Sequence, residues 1–203
     1  AHKDKNNLKQ AVYGLTEFFK EKIKTASLIA NPGCYPTGIE LALLPLLREK
    51  VIDSEIMVSS VSSITGAGRK AKIEYHYDNI ADNIWAYKPF VHQHVPEIVY
   101  VLETLGKRKV DLTFIPHVAG VAAGIHSTIV VKPAKKMNEK KLFSLYTGCY
   151  KKAPFVRIKK CLPSLKEVVN TNFCDIGFSF SPKGKKLVIT SCIDNLIKGA
   201  AGS

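Results

Sequence analysis

The sequence lacks the long apolar run that a membrane-spanning helix needs. Its longest candidate, residues 39–47, has nine residues and includes a proline, against the roughly 18 that a span requires. The first ten residues are charged and lack the apolar centre of a signal peptide. The five cysteines form no CxxC pair and have no histidine at zinc spacing. We therefore expect a cytoplasmic protein with reduced thiols, no membrane segment and no metal site.

Arginine is also scarce, and this affects whether the positive net charge indicates a nucleic-acid partner. Only four of the 30 basic residues are arginines, although the net charge is +13. Proteins that recognise nucleic-acid sequence favour arginine for its bidentate fork, and no basic motif here is interleaved with aromatics. The charge therefore favours solvated lysine-rich faces and no nucleic-acid partner. A basic RNA-binding module stays open as an alternative, which salt-dependent retention on RNA would favour.

The apolar content, 46% of the residues, is enough for a folded globular domain. Apolar periodicity predicts helices over residues 16–24, from 36 onward, 97–105 and 138–150, strands over 26–30, 56–64, 111–116 and 125–131, a hairpin joining 178–181 to 187–190, and the start of a helix in 194–203. The helix after Pro36 is too densely apolar for a surface helix. Strands outnumber helices without regular crossovers, so we expect an α+β fold with a largely antiparallel sheet.

Cys34 differs from the other four cysteines in its surroundings. It lies in Asn31-Pro-Gly-Cys-Tyr-Pro-Thr37, between a predicted strand and the buried helix. The positive end of a helix dipole and the unpaired amides there stabilise a thiolate, so we expect a lowered pKa. The same amides could receive the oxyanion of an attacked carbonyl. Cys34 is thus a candidate nucleophile, the alternative being a buried cysteine in a Pro/Gly turn.

Two histidines follow at alternating positions, His92 and His94, just before a predicted helix. In an extended segment they share a face. Glu97 lies on the first turn of that helix, where it could orient His94. A histidine can supply the proton partner that a nucleophilic thiol needs. The alternatives are a structural pair without a metal, or one solvated and one packed histidine.

A glycine turn with an adjacent arginine occupies residues 65–71, Thr-Gly-Ala-Gly-Arg-Lys-Ala. It matches the dinucleotide pattern G-x-G-x-x-A, but the residues after it have no helical stripe, and a true fingerprint opens a helix. The amides of Gly66 and Gly68 with the Arg69 guanidinium suit an anion better, a phosphate or a carboxylate. An ordinary turn with an exposed arginine is the alternative.

Taken together, six segments resemble the N-acetyl-γ-glutamyl-phosphate reductase family of arginine biosynthesis, and they occur in that family's order. The segments are Ala11–Glu17, Ala30–Gly38 around the cysteine, Gly66–Arg69, His92–Ile98, Ile115–His117 and Ile193–Gly202. The cysteine segment is the most specific match.

The resemblance implies a C-terminal catalytic domain like that of glyceraldehyde-3-phosphate dehydrogenase, with a largely antiparallel mixed sheet and helices on one face. Residues 1–33 would then be the end of a truncated Rossmann domain, 34–195 the catalytic and dimerisation domain, and 196–203 the start of a truncated helix that returns to the nucleotide domain. It implies NADPH as cofactor, bound mainly by the missing domain, an acyl-phosphate substrate and a homo-oligomer. The fragment alone would be inactive.

The resemblance also implies a reaction through a Cys34 thioester that is reduced to the semialdehyde. The site residues it implies are the catalytic Cys34, His94 and His92, with His94 preferred as acid/base, the substrate-binding Arg69, Gly66, Gly68 and Glu97, and the cofactor-binding Pro36, Asn195 and Gly199.

One position departs from the family pattern. The family carries an Arg-Gly pair after its Pro-His motif, where this chain has Ala123-Gly124. If that arginine binds substrate, its role passes to Arg69 or to a lysine. Three other enzymes stay open as alternatives. One is aspartate-semialdehyde dehydrogenase, another is a lysine-pathway relative that acts on a carrier-bound acyl phosphate, and the third is a cysteine hydrolase.

Overall fold

The structure is a computed structural model that describes residues 7–68 and 73–203. The α-helices are α1 (Thr16–Ile23), α2 (Cys34–Arg48), α3 (Tyr77–Ile80), α4 (Val95–Gly106) and α5 (Glu139–Cys149). The strands are β1 (Val12–Tyr13), β2 (Ile29–Ala30), β3 (Ile52–Ser63), β4 (Ile84–Ala86), β5 (Asp111–Ala119), β6 (Ile125–Pro133), β7 (Val156–Ile158), β8 (Cys174–Phe180) and β9 (Leu187–Ile193). No helix in the described ranges is long and apolar enough to cross a bilayer.

A seven-stranded mixed sheet in the order β4-β5-β3-β6-β9-β8-β7 organises the chain. Four of its six pairings are antiparallel, and the β3–β5 and β7–β8 pairings are parallel. This confirms the predicted α+β class with a largely antiparallel sheet. β1 and β2 form a separate parallel pair.

The sheet has one face toward the helices and one away from them. Along β6, Ile125, Ser127, Ile129 and Val131 are buried, and the residues between them are only partly buried. This period of two is that of a strand with one packed face. Helices α2, α4 and α5 contact the strands of the sheet, as the prediction of helices on one face requires.

Helix α2 is the centre of the core. Every residue from Tyr35 to Leu47 is buried, which confirms that this helix is too apolar for a surface position. It contacts β9, β6 and β3 of the sheet, and α4 and α5 beside it. Cys34, the first residue of this helix, is therefore held on a deeply buried element of the fold.

The termini of the elements differ from the predicted ones in a few places. The strand predicted over 26–30 is only Ile29–Ala30, and β4 and β7 were not predicted. β7 has three residues and pairs in parallel with β8, so it has no hairpin turn to mark it in the sequence. The predicted N-cap of α5 is confirmed, because the Asn138 side chain accepts a hydrogen bond from the Lys141 amide at 2.9 Å.

The last segment forms a single wide helical turn, Ile197–Ala201, where a helix start was predicted. Asp194, which is 2% exposed, accepts hydrogen bonds from the amides of Leu196 and Ile197 at 2.8 and 2.9 Å. Lys198 is buried and donates to Glu17 of α1 at 2.6 Å. The ion pair with Glu17 ties the segment to α1, and the segment also contacts α2.

Candidate active site

Cys34 is the first residue of α2, at the junction predicted for it. Gly33 is extended, with φ −67° and ψ 157°, and its carbonyl accepts from both the amide and the hydroxyl of Thr37 at 3.0 Å. These two bonds hold the first turn closed. The thiol therefore lies where a helix begins and where backbone amides have no partner inside the helix.

The predicted lowering of the Cys34 pKa is wrong for this structure. Burial raises the pKa of the thiol, and the Glu97 carboxylate raises it further. Hydrogen bonds from the amides of Tyr35 and of Cys34 itself act in the opposite direction. The helix-terminal effect is therefore present but smaller than desolvation, so the thiol needs a proton acceptor before it can attack.

His94 lies directly over the residue that precedes the cysteine. A Cβ atom placed on Gly33 would be 2.6 Å from Nε2 of His94, so only a glycine leaves room for the ring there. The ring is half-buried, and burial lowers the pKa of His94. Its Nδ1 atom is buried and has no hydrogen-bond partner among the described residues.

His92 is beside His94, with ring centroids 4.9 Å apart. The segment is a turn leading into α4 and not the extended stretch that the alternation suggested. Nδ1 of His92 accepts from the amide of His94 at 3.2 Å, and Nε2 lies 3.3 Å from the Tyr87 hydroxyl. Burial lowers the pKa of His92 to about 4, so this ring is neutral at pH 7.

Glu97, which we expected to orient His94, binds two other groups. Its carboxylate accepts from the amide of Gly33 at 2.9 Å and from the hydroxyl of Tyr13 at 2.8 Å. No hydrogen bond joins Glu97 to His94 in the part of the chain described here. Glu97 therefore acts on the backbone before Cys34, and the orientation of His94 comes from its position at the start of α4.

The glycine turn is described only as far as Gly68. Residues Ile64–Ala67 form a 3₁₀ turn, and Gly68 has φ 86°, a conformation that favours glycine. Arg69 lies outside the described residues, so its predicted role as an anion ligand stays a prediction. Gly66 lines the same cavity as Cys34.

The three residues expected to bind cofactor lie near Cys34 in different ways. Gly199 is in contact with it, since a Cβ atom there would be 2.9 Å from Cβ of Cys34. Asn195 accepts from the amide of Gly124 at 2.6 Å and donates to the Thr65 hydroxyl at 3.0 Å, so its amide is used within the chain. Pro36 is buried in the first turn of α2.

A cavity of about 340 Å³ opens beside the cysteine. Cys34, His92, His94 and Gly66 all line it. Sequence reasoning missed further lining residues, which are Tyr35, Ser62, Ser63, Glu74, Tyr75, Trp85, Tyr87, Lys88, Gln93 and Val118. Several of these are aromatics of the stretch before His92, and their unusual density there is the signal that could have found them. No group of three metal-ligating side chains occurs among the described residues.

A cysteine at the start of a helix, two histidines close to it and a cavity that all three line define the candidate site at one end of α2. The chain belongs to the semialdehyde dehydrogenase dimerisation-domain family, whose model matches residues 34–195.

The sequence is also similar to those of named enzymes. The chain is 42% identical over 198 residues to N-acetyl-gamma-glutamyl-phosphate reductase of Geobacillus sp. (strain WCH70), and 43% identical over 205 residues to the reductase of Geobacter metallireducens. These alignments cover 96% and 99% of this chain, and 57% and 59% of the relatives. The chain therefore spans less than three-fifths of their length.

Solved structures show the same fold at low sequence identity. Aspartate semialdehyde dehydrogenase II from Vibrio cholerae matches 95% of this chain and 65% of its own, with a TM-score of 0.73 and 15% identity. The enzyme from Francisella tularensis matches 98% of this chain and 69% of its own, with a TM-score of 0.73 and 14% identity. At such identities the likeness establishes the fold alone.

Proposed function

We propose that the protein to which this chain belongs reduces N-acetyl-γ-glutamyl phosphate to the semialdehyde with NADPH, through a thioester on Cys34. The observation that carries this proposal is the approach of the His94 ring to Gly33, which places an imidazole at the start of the cysteine helix. The identity of 42% to reductases of this name supports the choice of substrate. Aspartate-semialdehyde dehydrogenase has support from fold alone.

The first step is attack by the Cys34 thiolate on the acyl carbon, with release of phosphate. Because burial raises the pKa of this thiol, a neutral imidazole is needed to take its proton. Burial lowers the pKa of His94, which keeps that ring neutral and able to accept. The amides at the start of α2 are oriented to stabilise the oxyanion that forms.

The second step converts the thioester to the aldehyde. The chemistry that NADPH supplies when bound is a hydride, which is delivered to the thioester carbon. His94 then gives the proton it holds to the carbonyl oxygen, which leaves a thiohemiacetal on Cys34. When the carbon–sulfur bond breaks, the same proton returns to His94 and the thiolate is released with the aldehyde.

The anionic substrate binds at the rim of the cavity. Lys88 is the cation among the described lining residues, and it can take part of the role that the family arginine has at the position of Ala123. Gly66 can offer its amide to an oxyanion from the facing wall, with Gly68 and Arg69 next along the turn. The Glu97 carboxylate, in contrast, is already bound to Tyr13 and Gly33.

The three residues expected to bind the cofactor would support the site around Cys34. Gly199 has no side chain, which lets its backbone pack directly against the cysteine. Asn195 acts by tying the 63–66 turn to Gly124, and Pro36 shapes the first turn of α2. The nucleotide itself needs a binding domain in addition to these residues.

A homo-oligomer is part of the proposal. On the sheet face away from the helices, Met57, Val130 and Val188 form an apolar cross-strand row that ends at Thr113, and Met57 is 49% exposed. An apolar row of this kind suits a second copy of the chain. The description of the family as a dimerisation domain supports that use.

The test is single-turnover kinetics of the full-length protein with N-acetyl-γ-glutamyl phosphate. Phosphate release reports thioester formation, and NADPH oxidation reports its reduction. Cys34→Ser should abolish both. His94→Asn should slow reduction by about 10² to 10⁴, and it should slow thioester formation too, because the thiol depends on it for deprotonation.

The matched control is His76→Asn, since His76 is an exposed histidine that does not line the cavity. It should leave both rates unchanged. Reduction of aspartyl phosphate without any reduction of the N-acetylated substrate would contradict the proposed specificity. Normal turnover in His94→Asn with a large loss in His92→Asn would transfer the acid/base role to His92.

A further inference from the structure

Helix α2 carries one carboxyl group in its buried apolar surface, that of Glu40. The residue is 0% exposed. Its two oxygens lie 3.0 and 3.1 Å from the hydroxyl of Tyr13, and that hydroxyl is 2.8 Å from Oε1 of Glu97. The same Glu97 oxygen accepts from the amide of Gly33. A chain of polar groups thus runs from the core to the residue before Cys34.

The number of protons shared by Glu40, Tyr13 and Glu97 decides which hydrogen bonds these groups can form. A phenol has one proton to donate, so Tyr13 can satisfy only one of the two carboxylates that flank it. If Glu40 and Glu97 were both ionised, one of them would face an oxygen lone pair in a buried site. One additional proton, on Glu40, allows Glu40 to donate to Tyr13 while Tyr13 donates to Glu97.

The charges around Glu40 favour the same arrangement. Burial, and then the charge of Glu97, raises the pKa of Glu40 well above its usual range, and both together outweigh the hydrogen bond from Tyr13, which acts in the opposite direction. Burial also raises the pKa of Tyr13, so that its hydroxyl keeps its proton. Within the described residues, the ionisable groups that act on Glu40 are Glu97 and Tyr13, and neither is a cation. Lys198, the buried cation of the terminal segment, is bound to Glu17.

We propose that Glu40 is a positioning residue that stays protonated at neutral pH and, through Tyr13, holds the Glu97 carboxylate against the Gly33 amide. The backbone that begins α2 at Cys34 is thereby fixed, and the two donors offset part of the effect of the Glu97 charge, which opposes formation of the thiolate. This rests on the proposed function insofar as Cys34 is the nucleophile. Glu40 touches no reacting atom.

The protonation state is tested by infrared difference spectroscopy of the full-length protein at pH 7. Wild type minus Glu40→Gln should show the carbonyl band of one carboxylic acid, because other carboxyl groups in water are ionised at this pH. A difference in carboxylate bands without an acid band would show an ionised Glu40 and would overturn the proposal. This result does not depend on any enzymatic activity.

The positioning role is tested by the pH profile of Cys34 alkylation, followed by peptide mass spectrometry. Glu40→Gln keeps a neutral donor to Tyr13, so its rate should stay within about twofold of wild type at every pH. Tyr13→Phe removes a donor from Glu97, so alkylation at pH 7 should slow about tenfold, because a smaller fraction of the thiol is then ionised. Tyr100→Phe, on the exposed face of α4, is the matched control and should change nothing.

Two results would refute the positioning role. If Glu40→Gln shifts the profile as far as Tyr13→Phe, the charge of Glu40 matters and it is not a neutral donor. If Tyr13→Phe folds and leaves the profile unchanged, the chain of groups does not act on the cysteine. Full turnover by Cys34→Ser would instead refute the proposed function, and the infrared result would be unaffected.

Discussion

Substitution of Lys198 by methionine should destabilise the protein strongly. The Lys198 ammonium lies 2.6 Å from Oε1 of Glu17, and the two side chains are 1% and 5% exposed. Without the lysine, the Glu17 carboxylate is left buried without its counter-charge. Removal of one partner from such a buried pair costs about 3–5 kcal/mol. Gly199, the next residue, packs on Cys34, so loosening this segment should also lower the reaction rate.

Thermal unfolding followed by circular dichroism measures the effect. For a domain of this size, each kcal/mol lowers the Tm by about 2–4 °C, so Lys198→Met should lower it by about 6–20 °C. The double variant Lys198→Met/Glu17→Leu leaves no charge in the site and should regain most of the loss, because replacing both members of a buried pair is often neutral.

The exposed pair of Lys24 and Glu21 provides the matched control. Its charged groups are 2.8 Å apart, but the side chains are 57% and 79% exposed. Lys24→Met should therefore change stability far less than Lys198→Met does. The reasoning would be refuted by a loss in Lys198→Met no larger than that in Lys24→Met, or by a double variant that is less stable than the single one.

Two further predictions concern Gly33 and His92. Gly33→Ala should slow turnover at least tenfold, because its Cβ atom would displace the His94 ring. The control is Gly148→Ala in α5, where no atom lies within 4 Å of the added Cβ; it should leave turnover unchanged and add about 0.5–1 kcal/mol of stability. Equal turnover rates in the two variants would contradict this prediction. The lowered pKa of His92 predicts that stability is full above pH 6.5 and falls as the pH drops toward about 4, by at most about 3 kcal/mol. Urea unfolding at several pH values should show this slope in wild type and a shallower one in His92→Gln, and equal slopes would count against it.

Local patterns in the sequence were sufficient for much of the fold. The apolar density after Pro36 predicts a buried helix, and α2 is buried from Tyr35 to Leu47. Asn138 caps α5 as expected. In each case the deciding interactions join residues close together in the chain, so periodicity and capping describe them.

The position of the nucleophile candidate was predictable for the same reason. A glycine between a strand and an apolar helix is a local feature, and Cys34 does begin α2. The nearness of His94 to Gly33 was not predictable from spacing, because it requires α4 to pack beside α2. The resemblance to a known family supplied that pairing.

Only the tertiary structure decided the electrostatics of the site. Glu97 lies three residues after His94 in the chain, yet it binds the amide of Gly33, 64 residues away. Likewise, the helix start alone favours a lowered pKa for Cys34, but the surrounding elements bury the thiol and raise it. Desolvation depends on what distant parts of the chain pack around a group. The sequence by itself therefore determined where the thiol lies, and the packing determined how readily it ionises.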